Sequence, residues 1–272
     1  MSRYYTRACN FYYGNISKSL VKKKKSLPLN GNSQISFDQI EIISRKSKKV
    51  ISINKLNNLS ELLKKKINND LKIITSKKKN FASFNFSELP NIMGILNITP
   101  DSFSDGGKFN SKKKAISHAI QMFMSGANII DVGGESTRPG SKEINAKLEW
   151  RRINQILKSI SKKIPISLDT RKAEIMEKGI KLGIKVINDV SGLNHDTKTK
   201  DLLKKYKTPF VIQHSQGTPK NMQINPYYKN ELLDIYDFFE KKIKFLRSIG
   251  INHNNIIIDP GIGFGKNLKH NM

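Results

Sequence analysis

From residue 90 onward, hydrophobic and polar positions follow one repeated pattern along the chain. A short apolar segment ends in a polar residue, a loop follows, and then comes a stretch with apolar positions three or four residues apart. The apolar segments have the length of buried β-strands and the amphipathic stretches that of helices, so the pattern predicts βαβ units. The predicted strands cover residues 92–96, 128–130, 164–168, 184–187, 209–212 and 255–258.

Glycine marks the ends of the predicted helices. One helix is predicted over residues 111–124 and stops at Gly126, a short one closes at Gly183, and a long one stops at Gly250. Glycine is favoured there because it adopts the left-handed conformation that terminates a helix. Parallel strands joined by such helices form either a doubly wound sheet or a barrel.

We favour the barrel because all six strands have polar groups at their carboxyl ends, which would then face one shared mouth. A TIM-type (β/α)8 barrel takes eight strands and about 250 residues. Residues 90–272 contain six predicted strands, so we expect this barrel to lack about its last two βα units.

Residues 1–89 have a different composition, in which glycine is sparse and Lys and Asn dominate. Strand-like segments at 35–43 and 50–53 precede a helix predicted over residues 60–71, with Ser60 as its N-cap. We therefore predict two domains, a small basic α+β extension over residues 1–89 and the barrel over residues 90–272. The sequence assigns the extension no function.

The formal net charge of +27 raises the question of nucleic-acid binding. Residues 1–89 hold 19 Lys and Arg against 5 Asp and Glu, but the lysine runs lack interleaved aromatic residues that would stack on bases. We predict no specific nucleic-acid binding. The single cysteine, the lack of an apolar run of about 20 residues and the polar N-terminus predict a cytoplasmic protein without a membrane contact.

The polar residues at the predicted strand ends are candidates for a binding site. They are Asn97, Asp131, Asp169, Asn188 and Asp259. Singly, an Asp or Asn after a strand commonly shapes a turn or caps a helix. Together they would face one cavity, which is costly unless a ligand or metal satisfies them.

The residue types indicate the kind of ligand. Ionised carboxylates only accept hydrogen bonds, so they suit a heterocycle that presents paired N–H donors. Residues 136–140 (STRPG) supply hydroxyls, a guanidinium and backbone amides, which suit an anionic phosphate, although Arg138-Pro139 could also form a rigid surface turn. Asn97 offers a neutral oxygen suited to Mg²⁺ that keeps most of its waters and its substrate phosphates.

Two long segments closely resemble the signature segments of the dihydropteroate synthase family. They are IMGILNITPDSFSDGG at residues 92–107 and IDVGGESTRPG at residues 130–140. Three later motifs of that family are matched in the same order by SLDT at 167–170, INDV at 187–190 and IIDPGIGFGK at 257–266. The resemblance covers residues 90–272.

The resemblance implies a transferase of folate biosynthesis. Such an enzyme joins a 7,8-dihydropterin-6-ylmethyl diphosphate to 4-aminobenzoate and releases 7,8-dihydropteroate and diphosphate, with Mg²⁺ as cofactor. The implied metal residue is Asn97. The implied residues for the pterin and the diphosphate are Thr137, Arg138, Asp131, Asp169, Asn188, His214, Asp259 and Phe264. The implied loop residues near 4-aminobenzoate are Asp101, Ser102, Phe103, Arg138 and Pro139.

His214 is a tempting general base, but the amine nucleophile is neutral at pH 7 and needs none. We therefore expect His214 to line the pterin pocket, where Gln213 and Ser215 replace methionines that the family often has.

The family's seventh strand supplies a Lys and its eighth an Arg-x-His pair, and these 272 residues contain neither segment. We therefore expect them to be an incomplete copy of a synthase, weakly active or inactive. A truncated, non-catalytic pterin-binding fragment is the alternative. A homodimer is typical of the family, but it usually forms through the last helices, so the resemblance leaves it open here.

A methyltetrahydrofolate-dependent methyltransferase is a weaker alternative, because it should lack the 101–107 and 136–140 loops.

Overall fold

The computed structural model describes residues 3–82, 84–86, 90–99, 108–136, 141–217 and 222–271, with only the backbone described for 108–111. It divides into two compact units. The first comprises Met1–Asn80 and Asn85–Leu89, and the second comprises Phe81–Phe84 and Pro90–Met272. The predicted boundary near residue 90 thus differs from this division by the segment Phe81–Phe84.

The first unit is a small α+β structure. Its elements are β1 (Tyr5–Tyr13), α1 (Gly14–Lys22), β2 (Leu27–Leu29), β3 (Asn32–Ile43), β4 (Lys48–Ser52), a 3-10 helix (Ile53–Asn58) and α2 (Glu61–Thr75). The long strand β3 pairs antiparallel with β1, β2 and β4. Its apolar face packs with α2 around Phe37, Ile40 and Ile67. The hydrophobic pattern predicted β3, β4 and α2 but missed β1 and α1.

The second unit contains the strands and helices of the repeated pattern. They are β5 (Met93–Asn97), α3 (Lys108–Met124), β6 (Ile129–Gly133), α4 (Ala146–Ile160), β7 (Ile166–Asp169), α5 (Ala173–Lys181), β8 (Val186–Asp189), α6 (Thr199–Tyr206), β9 (Phe210–Gln213), α7 (Glu231–Ser248), a 3-10 helix (His253–Asn255), β10 (Ile256–Asp259) and α8 (Leu268–Asn271). The short, charged α6 and α8 were not predicted.

The six strands form a parallel sheet in which each strand pairs with its neighbour in sequence, from β5 to β10. This is the order of a (β/α) barrel, in agreement with the predicted fold class. Gly126, Gly183 and Gly250, the predicted helix stops, have φ values of 108°, 87° and 89°. Each therefore adopts the left-handed conformation that ends a helix.

Alternate residues of each strand face opposite sides of the sheet. One set, including Ile130, Val132, Leu168 and Ile212, packs against the helices in the main core. The other set begins with Ile129, Val186 and Val211, which form a separate cluster with the segment around Phe84 at the amino ends of the strands. The residues two positions further along these strands lie on the same inner side. They are Asp131, Asn188 and Gln213.

None of the described helices is long and apolar enough to cross a lipid bilayer.

Candidate functional site

Three of the predicted site residues lie side by side at the carboxyl ends of neighbouring strands. Asn97 on β5 is in register with Gly133 on β6, Gly133 with Asp169 on β7, and Asp169 with Asn188 on β8. The parallel register therefore places one carboxylate and two amides along a single row across the inner side of the sheet.

Gly133 leaves room in this row for its neighbours. A Cβ atom at residue 133 would lie 3.2 Å from Asp169 Oδ2 and 3.3 Å from Asn97 Oδ1. The two side-chain oxygens therefore converge over a position that has no side chain of its own. Such close approach is one of the reasons for glycine within a strand.

Asp131 lies below this row and is buried. It accepts a hydrogen bond from Asn188 Nδ2 at 2.9 Å. Burial raises its pKa. Burial and the neighbouring Asp131 carboxylate raise the pKa of Asp169 well above its ordinary value, and other carboxylates add to the effect. Packing two acids this closely disfavours ionisation of both.

Several buried polar atoms around these acids have no hydrogen-bond partner among the described residues. They are Asp131 Oδ1, Ser167 Oγ, Asn188 Oδ1 and Gln213 Nε2. Because buried polar groups are normally paired, such a group of atoms marks a place where a polar ligand or water would bind. The set includes acceptors and donors, so it suits a ligand with both.

Asp259 ends β10 and shapes the turn that follows. Its Oδ1 accepts a hydrogen bond from the Gly261 amide at 2.7 Å. Asp259 thus shapes the turn after its strand, as an Asp at this position commonly does. It is also paired with Gln213 in the register of β10 and β9. Phe264, five residues later, is half-buried and lines a cavity on this face.

His214 follows the inward-facing Gln213. Its ring packs edge-on against Phe238, with 4.8 Å between ring centroids, and lies near Phe239 and Tyr228. Burial and the Lys266 ammonium lower its pKa to about 4, so the imidazole is neutral at pH 7. Its role in pterin binding stays a prediction. The sequence predicted a site role for His214 and none for Gln213, but Gln213 is the residue that lies on the inner side of the sheet.

A buried ionic network, which sequence reasoning did not identify, ties together the loops after β6 and β7. Lys172 Nζ lies 2.9 Å from Glu135 Oε2 and 2.7 Å from Glu149 Oε2. Arg171 Nε also donates to Glu135 Oε2, at 3.0 Å. Despite burial, these cations and the Ile144 amide lower the pKa of Glu135 to about 2. The only signal in the sequence was that Glu135, Arg171 and Lys172 lie two or three residues after strands, whereas Glu149 lies within α4.

Glu135 also closes the base of its own loop. Its Oε1 accepts from the Ile144 amide at 2.9 Å, and nearby Ser141 Oγ donates to the Ser136 carbonyl at 2.7 Å. The ionic network thus anchors both ends of the segment that contains residues 137–140.

A cavity of about 500 Å³ opens on the same face. Its described lining includes Glu135, Arg171, Gln213 and Phe264, but none of the acids and amides in the row across the sheet. The row is therefore not part of the described lining of this cavity.

Six predicted site residues lie outside the described residues. They are Asp101, Ser102, Phe103, Thr137, Arg138 and Pro139.

The described part of the chain has no group of three or more His, Cys, Asp or Glu residues that could hold a metal ion by itself. The exposed Asn97 side chain supplies one neutral oxygen beside Asp169. One or two protein oxygens fit Mg²⁺ that retains waters and takes its remaining ligands from substrate phosphates.

Residues 93–272 match the model of a family described as pterin binding enzyme. Dihydropteroate synthase of Neisseria meningitidis serogroup C is 43% identical over 186 residues, which cover 67% of this chain and 66% of that protein.

Among solved structures, dihydropteroate synthase of Yersinia pestis in complex with a sulfonamide drug is 42% identical with a TM-score of 0.62, covering 67% of this chain and 66% of that one. The Xanthomonas albilineans enzyme with 4-aminobenzoic acid is 34% identical with a TM-score of 0.61, covering 67% and 65%. The chain thus spans about two thirds of the length of these relatives.

Proposed function

We propose that this chain, which belongs to the pterin-binding enzyme family, acts in the dihydropteroate synthase reaction of folate biosynthesis. In that reaction the amine of 4-aminobenzoate displaces diphosphate from 7,8-dihydropterin-6-ylmethyl diphosphate. A C–N bond forms as the C–O bond to diphosphate breaks, and the amine proton is lost to solvent. The products are 7,8-dihydropteroate and diphosphate.

The observation that supports this proposal most directly is the row of Asn97, Asp169 and Asn188 above the buried Asp131. A dihydropterin edge presents several N–H donors and a carbonyl acceptor in one plane. Asp169 would accept from the N–H groups, and Asn188, whose Oδ1 has no partner among the described residues, would accept a further one.

These acids would also assist the chemistry. Positive charge develops on the pterin methylene as diphosphate leaves, and Asp169, whose ionised form the N–H donors of the bound pterin would favour, would stabilise that charge. Asn97 would hold Mg²⁺, which would supply positive charge to the diphosphate. Phe264 would pack against the pterin, with Asp259 on its polar edge.

We propose that the two loops outside the described residues complete the site. Thr137 and Arg138 would bind the diphosphate, and Arg138 and Pro139, together with Asp101, Ser102 and Phe103, would surround 4-aminobenzoate. Loops at this position exclude water from a reactive cationic centre. We also propose a cytoplasmic location and a Mg²⁺ requirement, while the homodimer that is typical of the family stays open for this chain.

Calorimetric titration tests the proposal in two steps. The purified chain is first titrated with 7,8-dihydropterin-6-ylmethyl diphosphate with and without Mg²⁺, and turnover is then followed by chromatography after 4-aminobenzoate is added. We expect saturable pterin binding that Mg²⁺ strengthens, and Asn97→Ala should reduce the effect of Mg²⁺. Binding without turnover would support the non-catalytic alternative. No binding at millimolar concentration would refute the proposal.

A further inference from the structure

Lys266 is a buried lysine, only 4% exposed. All the hydrogen-bond partners of its ammonium are uncharged groups. Nζ lies 3.0 Å from the carbonyl oxygens of Gly261 and Phe264, 3.3 Å from the carbonyl oxygen of His214, and 3.1 Å from His214 Nδ1. Burying an ammonium costs free energy, and these four acceptors replace hydrogen bonds that it would otherwise make to water.

The four acceptors belong to two different loops. Gly261 and Phe264 lie in the loop after β10, and His214 lies in the loop after β9. The two backbones are in direct contact, since a Cβ atom at Gly261 would lie 2.1 Å from the His214 carbonyl oxygen and one at Gly265 would lie 2.7 Å from the Gln216 amide nitrogen. The ammonium therefore joins two loops at their closest approach.

Hydrogen bonds that do not involve Lys266 also hold the loop after β10, since the Phe264 amide donates to the Gly261 carbonyl, the Gly263 amide donates to Asn271 Oδ1, and Gln223 Nε2 donates to the Gly263 carbonyl. Gly261, Gly263 and Gly265 have φ values of 67°, 82° and 61°, in the left-handed region, and glycine restricts the backbone least. Lys266 adds hydrogen bonds to the carbonyls of Gly261 and Phe264, and the same ammonium reaches the His214 carbonyl in the other loop. The Tyr228 hydroxyl also donates to this loop, at the Gly265 carbonyl, with a distance of 2.8 Å.

This loop begins at Asp259 and contains Phe264. We infer that Lys266 is a positioning residue, whose ammonium clamps the loops after β9 and β10 and so orients Asp259 and Phe264 toward a bound pterin. The inference rests on the proposed function for its ligand, but the clamp itself can be observed without one.

The clamp also assigns a state to His214. Because an ammonium has only donors, His214 Nδ1 must accept, which places the imidazole proton on Nε2. Burial and Lys266 both lower the pKa of His214, whereas Asp234 opposes them. Tyr228, Phe238 and Phe239 surround the ring and supply no further ionised group at pH 7. His214 is thus a neutral acceptor within the clamp.

The test combines nuclear magnetic resonance with pterin titration. In protein labelled with ¹³C and ¹⁵N, the His214 ring is assigned through its correlations with its own backbone, which requires no variant. We expect wild-type His214 to be the Nε2–H tautomer and not to titrate between pH 5.5 and 7, a range below the pKa of Lys266, which burial lowers to about 8. A wild-type spectrum showing Nδ1–H or a charged ring at pH 7 would overturn the inference, even if no variant folds.

Lys266→Met removes the ammonium but keeps a chain of similar length, and exposed Lys269→Met on α8 is its matched control. In Lys266→Met the pKa of His214 should rise, and the dissociation constant for the pterin diphosphate should increase about tenfold, because Asp259 and Phe264 are no longer held in position. Lys269→Met should change neither. Unchanged binding and an unchanged His214 spectrum in Lys266→Met would refute the clamp.

The two hypotheses fail differently. If the wild-type chain binds no pterin but His214 shows the expected tautomer and responds to Lys266→Met, the proposed function is wrong and the clamp remains. If wild type binds pterin and Lys266→Met binds it equally well, the positioning role is wrong and the proposed function remains.

Discussion

Asn188 and Asp189 are adjacent in the chain but have different surroundings. Asn188 faces the inner side of the sheet and donates to Asp131. The Asp189 carboxylate faces the other way, where it accepts hydrogen bonds from the Ser191 amide at 2.8 Å, the Ser191 hydroxyl at 2.6 Å and the Leu193 amide at 3.2 Å. A polar residue at a strand end is therefore a ligand candidate only on the inner side, and otherwise shapes the following turn.

Asp169→Asn separates binding from stability. Burial and Asp131 raise the pKa of Asp169, so its ionised form is disfavoured in the free protein and an amide at this position relieves like-charge repulsion. We expect the variant to be at least as stable as wild type at pH 7. Its pterin affinity should fall about tenfold or more, because one acceptor oxygen becomes a donor. Calorimetry and thermal denaturation measure the two effects.

Asp189→Asn is the matched control for that variant. It should leave pterin affinity unchanged and lower stability, because one acceptor of the Ser191–Leu193 turn is lost. Equal pterin affinity in wild type and Asp169→Asn would contradict the assignment of Asp169.

At the scale of elements, the junction between β6 and α4 contains two glycines with different neighbours. Gly133 faces the side chains of Asn97 and Asp169, whereas a Cβ atom at Gly134 would lie 2.9 Å from Ile153 Cγ2 and 3.1 Å from the Glu149 carbonyl oxygen. One glycine thus leaves room for the site and the other lets α4 pack closely against the sheet.

Replacing each glycine with alanine should affect a different property, namely pterin binding at Gly133 and stability at Gly134. Gly133→Ala displaces the Asn97 and Asp169 oxygens, so it should weaken pterin binding about tenfold while unfolding free energy changes by less than about 1 kcal/mol. Gly134→Ala overpacks the core and should lose about 1–3 kcal/mol. Calorimetry and urea denaturation test the pair. A Gly133→Ala variant that binds normally would show that the row is not the binding surface.

At the scale of the whole second unit, the network of Glu135, Glu149, Arg171 and Lys172 links two loops to α4. Glu149 and Lys172 are buried, and the carboxylates of Glu135 and Glu149 both contact the Lys172 ammonium. Removing one partner of such a buried pair typically costs more than the pair contributes, because the remaining charge stays buried. The network therefore matters for stability mainly when it is broken.

The lowered pKa of Glu135 predicts acid sensitivity. A carboxyl group whose pKa falls from 4.5 to about 2 on folding contributes stability above pH 4.5 that is lost as the pH drops toward 2. Glu135→Gln should be less stable than wild type at pH 7 by roughly 3–5 kcal/mol, and the difference should shrink below pH 4.5. The raised pKa values of Asp131 and Asp169 act in the opposite direction, but they are present in both proteins.

Trp150, the single tryptophan, lies on α4 and reports unfolding of this unit by fluorescence. Urea denaturation at pH 7, 4.5 and 3 would give the two stability curves. A stability difference between wild type and Glu135→Gln that stays constant with pH would show that the network does not lower the pKa of Glu135.

The sequence by itself determined the repeated strand and helix pattern, the helix stops and the polar residue at each strand end. Hydrophobic periodicity and glycine conformations act over a few neighbouring residues, so they are readable along the chain. The same local motifs produced the resemblance to the family and predicted that Asn97, Asp169 and Asn188 would face one cavity. Helix α6 spans only eight residues, and β1 has Thr, Arg and Asn among its apolar residues, so neither was identified from the sequence.

Only the tertiary structure decided which polar groups meet. Gln213 faces inward beside His214 because of the strand register. Lys172 reaches Glu135 across 37 residues, and Lys266 reaches His214 across 52. These contacts depend on which side of a strand each residue occupies and on which loops adjoin, and no short stretch of sequence contains that information.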